Sequence, residues 1–354
     1  MTGILVFLIN KVFLIIKISI TYGKCGNFKD CSSCADGYEG LIKCQWCAGD
    51  NSCHNSLQTD CKPINLITHS FDCPRPVPNG YDYSDDFGRN TVLPLIAATN
   101  NDGIDIKVCL QNNFKNITFI KQYTTKCDND GDTCSSYLAV DNINKTIIAA
   151  FRGSKGFIQL LLEGEDFLFN ELKTFTLTGG KVDKYFYNGF YGLWNSGMES
   201  DLHKLIVEYP YHQLLAVGHS LGGSMASMAA AYCVKKKYFT TETVKLVTFG
   251  EPRTGDIAFA EGHDSLVKYT YRIIHNHDLI PHLPPRVFDN LFDSPFHHRY
   301  EVWYENDMSK GKSFKICTRA DDHACSNSVS NTAAADHTIY FNKNIANFAK
   351  NGCK

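Results

Sequence analysis

The strongest chemical signal in the sequence is a serine between two glycines, in Gly218-His219-Ser220-Leu221-Gly222. This spacing is typical of a nucleophile on a sharp turn from a strand into a helix, where a strained backbone leaves no room for bulky neighbours. A serine placed there attacks a carbonyl carbon once a base takes its proton. Because composition alone yields such a pattern about 0.1 times in a chain of this length, the surrounding residues must decide.

The serine needs a base, the base needs an orienting acid, and on such a turn the chain order is serine, acid, histidine. Asp278 is the favoured acid because it follows the predicted strand 271–274, and sites form at the carboxyl ends of parallel strands. Asp256 and Asp264 also follow a strand, but at positions expected to be glycine-rich and solvated. His337 is the favoured base because it lies late in the chain, where the terminal helix is predicted to begin. The other histidines after the serine lie close to the acid's own turn, precede the next strand or sit between two cysteines: His263, His275, His277, His282, His297, His298 and His323.

The elements around these residues predict an α/β fold. An apolar strand at 214–217 leads into the serine turn, and the Ala- and Met-rich stretch 224–237 suits a helix leaving it. Further strands are predicted at 146–151, 244–249, 268–274 and 300–304, and a helix start at 91–98. Short strand-like runs separated by helical stretches predict a mainly parallel central sheet flanked by helices.

The composition excludes several classes of protein. Hydrophobic residues make up 44% of the 354 residues and charged residues 20%, as in ordinary globular domains. The formal charge of -2 leaves no basic surplus for binding nucleic acid. The length leaves room for one large domain and one small domain.

Cysteines mark the small domain, because eight of the 15 fall within residues 25–73. The pairs Cys31/Cys34 and Cys44/Cys47 taken alone suit a zinc ribbon. Disulfides are favoured instead, since an exported module of this size needs them to be stable. Spacing does not choose among the many connectivities that eight cysteines allow.

The first residues favour export. An apolar run at 3–20 precedes small residues near Gly23, as in a secretory signal. Lys11 and Lys17 interrupt the run and argue against a transmembrane anchor. A cleaved signal is favoured, and a retained anchor and a misassigned start remain alternatives. The predicted divisions are a signal peptide at 1–23, a disulfide-rich module at 24–73, a linker at 74–80 and an α/β domain at 81–354. In an exported chain, Asn116 and Asn144 would be glycosylation acceptors.

The cysteine order in 25–73, with Trp46 between the central pair, resembles the plexin-semaphorin-integrin module. The resemblance implies the pairs Cys25–Cys44, Cys31–Cys73, Cys34–Cys53 and Cys47–Cys61. The module carries no catalytic pattern, so a spacer or docking role is expected, with an unknown partner. In the larger domain, Cys127–Cys134 and Cys109–Cys353 are expected to pair and Cys233 to stay free.

Short motifs in family order make the larger domain resemble the class 3, fungal-type triacylglycerol lipases, particularly secreted nematode members. They lie at 150–154, 218–223, 248–253, 278–285, 301–304, 325–328 and 336–337. The resemblance implies an α/β-hydrolase fold, with Ser220 as nucleophile, Asp278 as orienting acid and His337 as base. It also places the oxyanion hole at Ser154 and at the backbone N–H of Leu221, and it implies the disulfide Cys317–Cys325.

The expected activity is that of a secreted serine hydrolase that cleaves carboxylic esters of lipids at a lipid–water interface through an acyl-enzyme, without a metal or cofactor. The alternatives are a phospholipase or short-chain esterase using the same triad, or a catalytically inactive secreted binding protein. The apolar segment 156–166 is expected to be a lid over the serine, or otherwise a buried helix against the sheet.

Overall fold

The computed structural model describes residues 5–9, 12–16, 21–127, 133–153, 171–286 and 294–354. The chain forms two compact units, residues 1–76 and 77–354. The finer division into signal, module and linker stays a prediction. Among the described residues, no helix combines the length and apolar character needed to cross a membrane.

The smaller unit is built from short elements joined by disulfides. Its strands are Leu5–Ile9, Val12–Ile16, Thr21–Tyr22, Gly37–Glu39, Ile42–Cys47, Ser52–Asn55 and Leu66–Ile67, its helix is Cys31–Ala35, and its 3-10 turns are Cys25–Asn27, Pro63–Asn65 and Ser70–Asp72. The expected pairs are confirmed: Cys25–Cys44, Cys31–Cys73, Cys34–Cys53 and Cys47–Cys61. Because these bonds use all eight sulfurs, the zinc-ribbon alternative is wrong.

The larger unit contains an eight-stranded sheet that confirms the predicted α/β architecture. Its strands are β1 (Ile117–Lys126), β2 (Thr133–Asp141), β3 (Thr146–Arg152), β4 (Gln213–His219), β5 (Val244–Phe249), β6 (Tyr269–His275), β7 (Glu301–Tyr304) and β8 (Lys315–Cys317). They lie side by side in chain order. Strands β3 to β7 are parallel, and β1, β2 and β8 pair antiparallel at the edges.

Helices cover both faces of this sheet. Side chains alternate along a strand, so on β3 Ile147 and Ala149 pack into one apolar cluster and Ile148 and Ala150 into the other. The first cluster includes residues of helices Lys184–Leu193, Glu199–Glu208 and Leu221–Lys235. The second includes residues of Leu93–Ala98, Ile104–Asn113 and Ile345–Lys350. A strand covered on both faces is expected to be a nearly continuous apolar run, as residues 147–151 of β3 are.

The remaining elements are short. They include the helices Asp85–Phe87 and Ile257–Leu266, the π turns Gly88–Val92 and Trp194–Met198, and the 3-10 turns Ile280–His282, Ser326–Ser328 and Asp336–Thr338. A four-stranded sheet joins Leu172–Phe175, Gly180–Asp183, Gly255–Asp256 and Pro295–Phe296, and a hairpin joins Ile339–Tyr340 to Lys343–Asn344. His337 thus lies in a 3-10 turn before this hairpin, and the prediction that it begins the terminal helix is wrong.

The three disulfides expected in the larger unit are confirmed as Cys109–Cys353, Cys127–Cys134 and Cys317–Cys325. Cys233 is free and buried, also as expected. Burial raises the pKa of its thiol, so it packs as a small apolar side chain rather than reacting as a thiolate.

Candidate active site

Ser220 occupies the predicted sharp turn between β4 and the helix Leu221–Lys235. Its φ of 58° and ψ of -134° are strained for a residue with a side chain. The flanking glycines allow the turn to close: a Cβ on Gly218 would lie 2.1 Å from the carbonyl oxygen of Gly222. A Cβ on Gly222 would lie 2.3 Å from the carbonyl oxygen of Phe151 on β3. The G-x-S-x-G pattern is therefore required by backbone contacts, and it presents the serine at the carboxyl end of the sheet.

Asp278 and His337 form a buried pair. His337 Nδ1 lies 3.0 and 2.9 Å from the two carboxylate oxygens of Asp278. The backbone N–H of Ile280 donates to the same carboxylate at 2.9 Å, and the hydroxyl of Tyr340 donates at 2.8 Å. Both members of the pair are fully buried. Their contact orients the imidazole so that Nε2 is the nitrogen left to accept a proton.

The surroundings of Asp278 stabilise its negatively charged form beside His337. Burial by itself raises the pKa of this carboxyl, but the adjoining His337 and the hydrogen bonds from Ile280 and Tyr340 bring it below its ordinary value. The carboxylate therefore stays ionised and holds the proton on Nδ1 of His337. Within the described part of the chain, His337 Nε2 and Ser220 Oγ are buried and have no hydrogen-bond partner.

The loop that carries His337 is docked on the turn that carries Asp278. The Asp336 carboxylate accepts hydrogen bonds from Asn276 Nδ2 at 2.9 Å and from the N–H of His277 at 3.1 Å. The N–H of Ala333 donates to the carbonyl of His277 at 2.7 Å. These contacts fix a short loop without relying on a helix. Sequence reasoning missed the roles of Asp336, Asn276 and Tyr340.

His219 links the Ser220 turn to His337. Its ring stacks on that of His337 with centroids 4.3 Å apart, and its Nε2 lies 2.7 Å from the carbonyl oxygen of His337. Burial, together with the neighbouring His337, lowers the pKa of His219 to about 3. The His219 ring therefore stays neutral and places no positive charge beside His337.

The structure describes one of the two predicted contributors to the oxyanion hole. Leu221 is buried and begins the helix after Ser220, where free N–H groups favour a developing anion. A Cβ on Gly153 would lie 2.7 Å from the Cβ of Leu221, so the end of β3 lies against this helix start. Ser154, the other predicted contributor, and the predicted lid at 156–166 lie outside the described residues. Both stay predictions.

Asp256 and Asp264, the two alternatives to Asp278, have structural roles, although not for the reason expected. Asp256 and Asp264 are buried, so the prediction that they are solvated is wrong. Asp256 caps the helix Ile257–Leu266 by accepting from the N–H of Phe259 at 2.8 Å. Asp264 lies 3.4 Å from the Arg299 guanidinium. Buried acids with such partners are stabilising parts of the core.

Comparison with known proteins assigns the family. Residues 148–288 match the family described as Lipase (class 3). Lipase ZK262.3 of Caenorhabditis elegans is 32% identical over 279 residues, covering 71% of this chain and 78% of that protein. The chain belongs to the class 3 lipase family. This class 3 lipase is accordingly an ester-hydrolysing enzyme.

Fungal relatives extend the likeness. The lipase of Rhizomucor miehei is 30% identical over 213 residues, covering 59% of this chain and 56% of that protein. The chain spans about half the length of the curated fungal lipases it matches. The crystal structure of the lipase from Rhizopus microsporus var. chinensis has a TM-score of 0.64 at 24% identity, covering 77% of this chain and 93% of that one. This likeness establishes the α/β-hydrolase fold.

Proposed function

We propose that this lipase cleaves carboxylic esters of lipids by acyl transfer through Ser220, His337 and Asp278. The observation that carries the proposal is the buried Asp278–His337 pair, with contacts of 3.0 and 2.9 Å, beside a serine held in a strained turn. In addition, Ser220 Oγ and His337 Nε2 are buried and have no hydrogen-bond partner among the described residues. These are the donor and the acceptor that proton transfer requires.

In the proposed reaction, His337 Nε2 takes the Ser220 proton as Oγ attacks the ester carbonyl. The oxyanion is stabilised by the N–H of Leu221 and by Ser154. Asp278 stabilises the imidazolium, which then protonates the leaving alcohol. Water repeats the cycle: His337 takes its proton, the hydroxide attacks the acyl-enzyme, and the fatty acid is released with Ser220 restored.

A substrate panel tests this proposal. Wild type should hydrolyse a triglyceride, and Ser220→Ala and His337→Ala should each lower kcat by about 10⁴ to 10⁶. The matched control is Ser227→Ala. Ser227 is a buried serine on the helix Leu221–Lys235, which follows Ser220, and its hydroxyl also lacks a partner among the described residues. Retained turnover in Ser220→Ala would overturn the assignment. A phospholipid and a short ester in the same panel separate the alternative substrates.

Export and action at a lipid surface are part of the proposal. Seven disulfides in the described residues support an oxidising compartment. A relative from Fusarium solani, 29% identical over 213 residues, is named secreted mono- and diacylglycerol lipase 1. We expect the mature chain to begin near Lys24, and activity to rise sharply when triglyceride exceeds its solubility. N-terminal sequencing that finds the first residues retained would contradict the cleaved signal.

A further inference from the structure

The turn formed by residues 249–254 touches each segment that carries a member of the proposed triad. The carbonyl of Phe249 accepts from the N–H of Ser220 at 2.9 Å, and the N–H of Gly250 donates to Ile273 on β6 at 3.0 Å. A Cβ on Gly250 would lie 2.6 Å from His337 Cε1 and 2.7 Å from an Asp278 carboxylate oxygen. The position of this 249–254 turn therefore sets the relative positions of nucleophile, base and acid.

The carboxylate of Glu251 closes the 249–254 turn. Its Oε2 accepts from the Thr248 hydroxyl at 2.7 Å, and its Oε1 accepts from the Thr254 hydroxyl at 2.8 Å. His298 Nε2 lies 3.1 and 3.3 Å from the two oxygens. Since Thr248 directly precedes the turn and Thr254 is its last residue, the Glu251 side chain fastens both ends of the turn. Glu251 is only 1% exposed, so water cannot replace these contacts.

Glu251 also links the 249–254 turn to the helix Leu221–Lys235, which follows Ser220. A Cβ on Gly223 would lie 3.0 Å from the Cβ of Glu251, so Gly223 lies directly against the Glu251 side chain. Thr254 Oγ1 lies 3.0 Å from Ser224 Oγ on that helix. Movement of Glu251 would therefore be transmitted to the segment that begins at Ser220.

The groups around Glu251 stabilise its carboxylate as an anion and hold it in place. Burial by itself raises the pKa of Glu251, but the adjoining His298 and the hydroxyl donors bring it down to about 2. The other ring nitrogen of His298, Nδ1, lies 2.9 Å from the carbonyl oxygen of Arg299 and 3.1 Å from the hydroxyl of Thr270. Both His298 nitrogens thus face oxygen atoms that can accept a hydrogen bond. The ring of His263 stacks on it at 4.3 Å and completes the buried cluster.

We propose that Glu251, paired with His298, is a positioning residue of this enzyme: it locks the 249–254 turn so that Gly250 supports Asp278 and His337 in register with Ser220. The inference rests on the proposed triad. Every group facing the Glu251 carboxylate is a donor. A glutamine would turn an amide N–H against one of them, which leaves a buried donor unpaired and loosens the turn.

The test compares Glu251→Gln with wild type on a soluble short ester, with rates normalised to active sites titrated by a fluorophosphonate. Displacement of the base by a few tenths of an ångström to 1 Å should lower kcat about 10- to 100-fold. KM should stay within about twofold, because the substrate-binding surface is untouched. A role in folding alone would lower the yield and Tm, but leave kcat per titrated site unchanged.

Glu301→Gln is the matched control. Glu301 is equally buried at 1% exposure, accepts from the N–H of Ser326 at 2.9 Å and lies 3.5 Å from Arg272, outside the 249–254 turn. It should lose stability with kcat per site unchanged. If Glu251→Gln fails to fold, Thr254→Val removes one donor with little change in volume and should lower kcat about threefold to tenfold.

The outcomes separate the two proposals. Wild-type kcat per site in both Glu251→Gln and Thr254→Val, or an equal loss in Glu301→Gln, overturns the positioning role. An absence of Ser220-dependent hydrolysis in the wild type would instead overturn the proposed function.

Discussion

Gly250→Ala measures how tightly the proposed site is packed. Gly250 has a φ of +54°, and an added methyl group would lie 2.6 Å from His337 Cε1 and 2.7 Å from both His337 Nδ1 and an Asp278 carboxylate oxygen. Ordinary carbon contacts need about 3.5 Å, so one side must retreat by roughly 0.9 Å. The Asp278 carboxylate is held by the N–H of Ile280 and the hydroxyl of Tyr340, which leaves the imidazole to move.

A misplacement of about 1 Å costs on the order of 100-fold in rate, so Gly250→Ala should lower kcat by about that factor. The positive φ adds about 1 to 3 kcal/mol of backbone strain. Gly103→Ala separates the two effects, because Gly103 has a φ of +48° with no heavy atom within 4 Å of the added Cβ. It should lose stability and keep its kcat.

The assay is hydrolysis of a soluble ester, with active sites titrated and Tm measured for each variant. If a folded Gly250→Ala enzyme keeps kcat within about threefold of wild type, the site has more room than its contacts indicate. If Gly103→Ala loses as much activity, the loss in Gly250→Ala reports backbone strain rather than displacement of His337.

Two further predictions concern charge stabilisation. Tyr340→Phe removes the donor 2.8 Å from Asp278, so the free energy of unfolding near pH 7, measured in urea, should fall by about 1.5 to 3 kcal/mol; an unchanged value would mean that the hydroxyl adds nothing to the carboxylate. Glu251 has its pKa lowered from 4.5 to about 2, so its stabilisation is present above its unfolded-state pKa and is lost as the pH falls towards 2. Wild type should therefore exceed Glu251→Gln in stability at pH 6 by more than at pH 2, and a constant difference would contradict this.

Much of the fold and part of the site could be predicted from local signals. The strand before Ser220 and the helix after it could be predicted, because the glycines of the G-x-S-x-G pattern permit the sharp turn that joins the two elements. Asp278 could be placed because it follows β6, and parallel strands deliver their ends to one edge of the sheet. The disulfide pairs of the small unit came from a cysteine order with a known connectivity.

Contacts between distant segments could not be predicted. Asp256 looks solvated in the sequence because glycine precedes it, yet it also accepts from the N–H of Lys181 at 3.1 Å, 75 residues away. The Glu251 cluster depends on His298, 47 residues away. Tyr340 donates to Asp278 from a hairpin whose sequence indicates a helix. A single sequence shows which residues are polar, but not which polar residues become partners when buried.

The lowered pKa values of His219 and Asp278, the two groups beside His337, predict the shape of the pH–rate profile. The proposed mechanism needs an unprotonated base, so kcat/KM should fall as the pH decreases. His219, stacked on His337 at 4.3 Å, has a pKa of about 3 and stays neutral through that fall. Asp278 also stays ionised, because its pKa lies below the ordinary value. A single protonation should therefore account for the acid limb, so above pH 4 the slope of log kcat/KM against pH should approach one and not exceed it. A slope of two over that range, in enzyme shown to remain folded, would mean that His219 or another group titrates with the base, and the assignment of a single proton acceptor would be wrong.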